Sequence, residues 1–196
     1  MSSVMIIVFF SVAVVGRSIM QYRLTGDHGM RPANHESSFI VIFSNILITI
    51  VFIGVISLSI ISTFVGFEAD FQFGTYGELA GVILCLSGVF ITSISQIQMG
   101  KEWRIGVDNK EKTKLVTHGI YSKIRNPIYT GVMIFGLGLL ALEPSLFMLL
   151  FAILGYIAIE VHVRNVEEPH LRKLHGKKFS DYENSTGRYF PKMKNN

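Results

Sequence analysis

Apolar residues in this chain come as long unbroken runs rather than as one-sided stripes. Five such runs occupy residues 4–19, 38–65, 77–99, 128–142 and 145–161. A helix needs roughly 20 apolar residues to cross a bilayer core, and most of these runs are of that order. The fourth is shorter, rising about 22 Å at 1.5 Å per residue, and Glu143-Pro144 separates it from the fifth. It is either a full span or one arm of a re-entrant hairpin, and both return the chain to the side it came from. No Lys or Arg precedes the first run, whereas Arg17 and Arg23 follow it. A cleaved signal peptide has the opposite order, so the pattern predicts a retained helix with its N-terminus outside.

The connections between the runs divide by charge. All 18 Lys and Arg fall in three stretches, with three in 17–38, seven in 100–127 and eight in 162–196. The connections at 66–76 and 143–144 carry only Glu68, Asp70 and Glu143. Five crossings put the three basic stretches on one face, and the positive-inside rule makes that face cytoplasmic. The predicted fold class is an all-α integral membrane protein with about five transmembrane helices. Its N-terminus lies outside and its C-terminus in the cytoplasm, in the inner membrane of a bacterium or the ER membrane of a eukaryote. Composition agrees, with 49% hydrophobic residues, 16% charged residues and a mean hydropathy of +0.44. Topology accounts for the pI near 9.2 without a nucleic-acid partner. The single Cys85 lies inside an apolar run, which leaves no disulfide framework or Cys-based metal site and reads as a buried inert thiol.

Small residues inside the runs read as packing features. Gly77-xxx-Gly81 fits close helix contact. Gly136-Leu-Gly138-Leu-Leu-Ala141 matches a dinucleotide fingerprint by letter, but no strand precedes it and it lies within a membrane run. The first three runs offer only apolar residues to a substrate.

Polar chemistry interrupts the apolar pattern in three places, all on the basic face. The first is Lys-Ile-Arg125-Asn126-Pro127-Ile-Tyr129-Thr-Gly131, at the start of the fourth run. Pro127 suits a first helical turn, and Asn126 before it is an N-cap candidate. The free N–H groups of such a helix start favour an anionic ligand group, and Arg125 can grip a carboxylate with two bonds. An arginine anchored to lipid headgroups fits the same spacing. The second place is Tyr156, Glu160, Arg164 and Glu168, spaced four apart on one helical stripe, with Glu167 beside it. A structural Glu160–Arg164 pair is expected there, which leaves Glu167 and Glu168 to explain. The third is the aromatic and basic tail from Phe179 onward, which is either an interfacial segment or a lid over a pocket. His118, His162, His170 and His175 have no zinc-ligand spacing and read as solvated side chains.

Taken in order, these residues resemble the isoprenylcysteine carboxyl methyltransferase family and its phospholipid methyltransferase relatives. The pattern runs through Gly119-Ile120-Tyr121, then Arg125-Asn126-Pro127-Ile-Tyr129-Thr-Gly131, then Glu167-Glu168-Pro-His-Leu171. It continues through Gly176, Phe179 and Tyr182 to Thr186-Gly187-Arg188 and Pro191, and Gly100-Lys-Glu-Trp103 precedes it. Asn126 stands where the family usually has His, which removes an imidazole from that position.

The resemblance implies two parts, three N-terminal membrane helices in 1–99 and a methyltransferase core in 100–196. The core comprises a cytosolic loop, a hairpin of two membrane helices and a C-terminal segment that caps the cofactor. The implied cofactor is S-adenosylmethionine, and the implied partner is a lipid-like small molecule entering from the bilayer, with no obligatory protein partner and no metal. Gly119, Ile120, Tyr121, Arg125, Asn126, Pro127, Tyr129, Gly131, Glu167 and Arg188 are the implied cofactor-binding residues. Arg164, Glu167 and Glu168 are the implied catalytic ones, with Arg164 or Arg188 available for an anionic acceptor. Methylation at oxygen is the expectation; phospholipid nitrogen and a thiol sulfur are alternatives. An NADPH-dependent membrane reductase of the sterol type and a non-enzymatic membrane protein are competing classes.

Overall fold

The computed structural model describes residues 1–30, 39–66, 70–71, 73–105 and 113–192. Arg31, Glu68, Lys110, Lys112 and Lys194 of the charge partition lie outside the described residues. The apolar runs become helices, because in lipid a backbone has no partner except itself. They are α1 (Ser2–Thr25), α2 (Phe39–Val65), α3 (Gly74–Met99), α4 (Pro127–Leu142) and α5 (Leu146–His175). The amphipathic α6 (Lys177–Ser185) follows. Among the described residues, four helices are long and apolar enough to span a membrane, and α4 is a shorter apolar helix. At 1.5 Å per residue α4 rises about 24 Å. Large apolar side chains such as Ile46, Ile53, Phe64, Phe90 and Ile153 stand exposed around the bundle, an arrangement suited to acyl chains rather than water. The chain is an integral membrane protein.

Packing pairs α3 with α4 and α2 with α5. The first pair meets through glycines seven residues apart on each helix. A Cβ on Gly88 would stand 2.7 Å from Gly131 O, and one on Gly138 would stand 2.7 Å from Cys85 N. The backbones touch, as small-residue interfaces in membranes allow. Gly138 of the discarded dinucleotide pattern therefore belongs to helix packing. Gly81 also joins this interface, against Leu142 and Gly138, while Gly77 faces Phe73 just outside its own helix. Cys85 is fully buried among Leu58, Phe135, Leu139 and Met148.

The bundle has two polar ends. At one, Glu143 accepts hydrogen bonds from Ser2 Oγ at 2.6 Å and Ser59 Oγ at 3.1 Å, and Asp70 Oδ2 accepts from Leu146 N at 2.8 Å. At the other, Arg17 of α1 is buried against Trp103, its guanidinium carbon 4.6 Å from the ring centroid, and it donates to Gln21 and to the Gly100 carbonyl. The expectation that the first three helices are apolar throughout is corrected here. Ser44, Ser59, Thr92, Ser95 and Gln96 are buried between helices. A hydroxyl hidden in an apolar run bonds a carbonyl one turn back, as Ser95 Oγ does to Ile91 O at 2.6 Å, so it barely lowers the hydropathy of the run. Gln96 instead crosses to Ala13 O at 2.9 Å.

Candidate functional site

The described residues between Trp103 and Tyr129 gather at the Arg17 end of the bundle. Gly119 opens a 3-10 turn, Gly119–Ser122, with φ +60, and a Cβ there would stand 2.2 Å from Gln98 Oε1. That same oxygen accepts from Ile120 N at 2.8 Å. Gly119 and Ile120 thus anchor the turn to α3, and the turn delivers Tyr121 inward. Pro127 occupies the first turn of α4 as its lost N–H permits. Asn126 holds the cap position without a side-chain cap bond, which departs from the expected capping role. Its backbone N–H donates to Arg188 O at 3.0 Å instead, and Arg125 N donates to Gly187 O at 2.9 Å. The segment after α6 is therefore pinned, strand-like, along the entrance of α4.

These elements enclose an open cleft of ≈ 900 Å³, including the solvent at its mouth. Its lining includes Met99, Glu102, Leu115, Tyr121, Arg125, Asn126, Glu167, Glu168, Leu171, Phe179 and Tyr182. Phe179 and Tyr182 are buried in the cleft wall, and Tyr182 Oη donates to Tyr121 O at 2.7 Å. Residues Phe179 and Tyr182 of α6 thus form part of the cleft wall.

Glu168 is the hub of the charged network. Only 3% exposed, it accepts from Arg125 Nε at 2.7 Å, from Arg188 Nε at 2.9 Å and from Arg188 Nη2 at 2.8 Å. A carboxylate shared by two guanidiniums is held as the anion and makes a poor base. Arg188, in turn, has its pKa raised, chiefly by the bond to Glu168. It also reaches Glu160 at 3.3 Å, and Tyr189 Oη donates to the other Glu160 oxygen at 2.6 Å.

Glu167 has different company. Its Oε1 accepts from Tyr129 Oη at 2.5 Å and lies 3.4 Å from His162 Nε2. His162 is 4% exposed, with Nδ1 3.0 Å from Ser44 Oγ of α2. The sequence expectation of a solvated His162 is overturned. At 3.6 residues per turn, positions 162 and 167 diverge by about 140°. The stretch Val163–Glu167 is instead wound as a π-helix, whose i→i+5 bonds bring such residues onto one face. No α-periodic reading could find that pairing.

Other sequence candidates fall elsewhere. Arg164 pairs with Glu160 as expected, but its side chain is 57% exposed and lies outside the cleft lining. Gly131 faces Thr92 and Gly88 in the α3–α4 interface rather than the cleft. Tyr129 reaches the site through Glu167 and lies behind the cleft wall. Two residues of the cleft lining, Tyr121 and Asn126, each carry a buried polar atom with no partner among the described residues, Oη and Nδ2 respectively. Burial raises the Tyr121 pKa, and the neighbouring Tyr182 and Glu167 add to the shift. The phenol is therefore a neutral donor at physiological pH.

With the geometry in hand, the sequence model of the phospholipid methyltransferase family matches residues 76–178. A solved structure described as the eukaryotic intramembrane Ras methyltransferase ICMT (isoprenylcysteine carboxyl methyltransferase) shares the fold. It superposes with a TM-score of 0.60 at 17% identity, over 97% of this chain and 68% of that one. No curated protein matches the sequence.

Proposed function

The chain belongs to the phospholipid methyltransferase family, and from that premise we propose that this membrane-embedded methyltransferase uses S-adenosylmethionine to methylate a lipid-like acceptor. The cleft opens on the cytoplasmic face, where the soluble cofactor is found, and the acceptor reaches it from the bilayer. The observation that carries the reading is the pair of orphaned polar atoms carried by two residues of the cleft lining. Tyr121 Oη and Asn126 Nδ2 are buried and have no partner among the described residues, a costly state that a polar ligand relieves.

When bound, S-adenosylmethionine supplies a methyl group already activated on a sulfonium and departs as a neutral thioether. The residues present fit such a ligand. Asn126 Nδ2 and Tyr121 Oη offer hydrogen bonds to its polar groups. Arg125 has spent Nε on Glu168 and Nη1 on Thr186 O at 3.0 Å, while its Nη2 lies 3.8 Å from Glu183. That last nitrogen remains able to hold a carboxylate. Phe179 and Tyr182 exclude water from the reacting centre. Methyl transfer is an in-line displacement, so such positioning and water exclusion carry much of the rate.

Calorimetry in detergent with S-adenosylmethionine and with NADPH tests the reading. Binding of the first alone is expected, and Asn126→Leu should weaken it about tenfold, one hydrogen bond's worth. Binding of NADPH alone, or of neither, would refute the proposal.

A further inference from the structure

Arg125 and Arg188, both only partly buried, are paired with Glu168. Arg17 is only 3% exposed, yet no carboxylate among the described residues pairs with it. A guanidinium has five N–H bonds and does not shed its charge in a protein. Nη2 spends two of them, on Gln21 Oε1 at 2.9 Å and on the Gly100 carbonyl. Nε and Nη1 are buried and have no acceptor among the described residues. A clamp between α1 and the turn after α3 accounts for Nη2, and Gln21 Nε2 serves the same clamp by donating to Lys101 O at 2.9 Å. It leaves Nε and Nη1 unexplained. The Trp103 ring, 4.6 Å from the guanidinium carbon, offsets part of the cost of burying the charge. A buried charge ordinarily has a counter-charge as well.

The surroundings connect Arg17 to the cleft. Met99 and Glu102 flank the Gly100 carbonyl that Arg17 holds, and both line the cleft. Glu102 is turned away to Lys114 N, whose hydrogen bond it accepts at 2.8 Å. Tyr121, another lining residue, is 3% exposed, and its hydroxyl has no partner among the described residues. Burial raises the Tyr121 pKa and the Arg17 charge opposes the rise, so phenol and guanidinium lie within electrostatic reach of each other. Both are donors, and one of them is a cation. We propose that Arg17 and Tyr121 form an oxyanion-binding site between α1 and the Gly119–Ser122 turn, which takes a carboxylate or a phosphate group. Its source is the carboxylate of the cofactor, the headgroup of a bilayer lipid or free phosphate. The three share the chemistry of a charge-assisted acceptor. Arg17 lies outside the residues 76–178 that the family model matches, so the site belongs to this chain's first helix rather than to the methyltransferase pattern. Nε and Nη1 are shielded from solvent, and an oxyanion reaches them as a neighbouring side chain gives way, a common adjustment on binding.

The test uses the whole protein in a neutral detergent, with each oxyanion set beside a matched control. Inorganic phosphate is compared with chloride at equal ionic strength, S-adenosylmethionine with its decarboxylated analogue, and phosphatidylglycerol with diacylglycerol. Affinities are read by calorimetry and by the shift of the thermal unfolding midpoint. At least one oxyanion should bind about tenfold more tightly than its control, as a charge-assisted hydrogen bond provides. The pair that shows the margin names the source. Arg17→Gln should shrink that margin to about twofold or less, since the amide keeps a donor and loses the charge. Binding of phosphate or phosphatidylglycerol without S-adenosylmethionine would sustain the site and strike the proposed function. No margin in any pair would overturn the inference, and so would margins that survive Arg17→Gln, the mark of an adventitious ion only. Should Arg17→Gln fail to fold, Tyr121→Phe takes its place. Its margin should fall about fivefold with the loss of one hydrogen bond, and an unchanged margin would overturn the inference.

Discussion

Glu168→Gln separates the two adjacent carboxylates most cleanly. The parent side chain is 3% exposed and accepts three charge-assisted bonds, at 2.7, 2.9 and 2.8 Å. Glutamine keeps one carbonyl oxygen for two of them but turns an NH2 toward a guanidinium, donor against donor. Two arginines are then left close together without their shared counter-ion. Breaking a buried pair typically costs about 3–5 kcal/mol. Arg188 keeps Glu160, and Arg125 keeps Thr186 O, so the lower end, about 3 kcal/mol, is expected. The assay is unfolding in mixed micelles with increasing SDS, run beside Glu167→Gln. Glu167 accepts from the Tyr129 hydroxyl alone among the described residues, so its variant should lose only about 1 kcal/mol. A Glu168→Gln protein as stable as the parent would refute the clamp, and equal losses from both variants would refute the division of roles.

Gly131→Leu should destabilise by about 3 kcal/mol or more, because its Cβ would stand 2.7 Å from Thr92 N; Gly136→Leu on the same helix meets nothing within 4 Å and should change stability by less than about 0.5 kcal/mol in the same SDS titration. Burial raises the pKa values of Tyr121, Tyr182 and Tyr189, so the folded state keeps protons that the unfolded chain releases above its ordinary tyrosine value near ~10. Stability should therefore be level below that pH and fall above it, with a shallower fall in Tyr121→Phe, as read from unfolding midpoints between pH 8 and 11. Reporter domains fused after residue 192 and within 100–105 should both read cytoplasmic, and an external reading at either would reverse the topology.

Much of this was legible in the residues. Continuous apolar runs and one-sided cations set out the helices, because lipid enforces both rules along the sequence itself. Of the ordered set from Gly119 to Arg188, Tyr121, Arg125, Asn126, Glu167, Glu168, Leu171, Phe179 and Tyr182 line the cleft, whereas its glycines, Pro127 and Arg188 lie outside the lining. The pairing of His162 with Glu167 was hidden by a π-helical turn, which changes the angular register without changing the composition. Arg164 shows the converse, having the right spacing for the cleft and a position outside it. Gly131 sits in a motif, yet what it meets is the backbone of α3, and only three-dimensional packing reveals that.

The pinning of residues 186–189 along the start of α4 has a consequence for biogenesis. Arg125 N and Asn126 N find their acceptors on Gly187 and Arg188, some sixty residues later. Both arms of the α4–α5 hairpin must be made before those partners can meet. A ribosome that has released α1 to α4 has made a membrane protein with half a cleft, its entrance amides still unpaired. The site closes only after residue 189 has been translated, so a chain truncated within α6 should insert normally and remain inert.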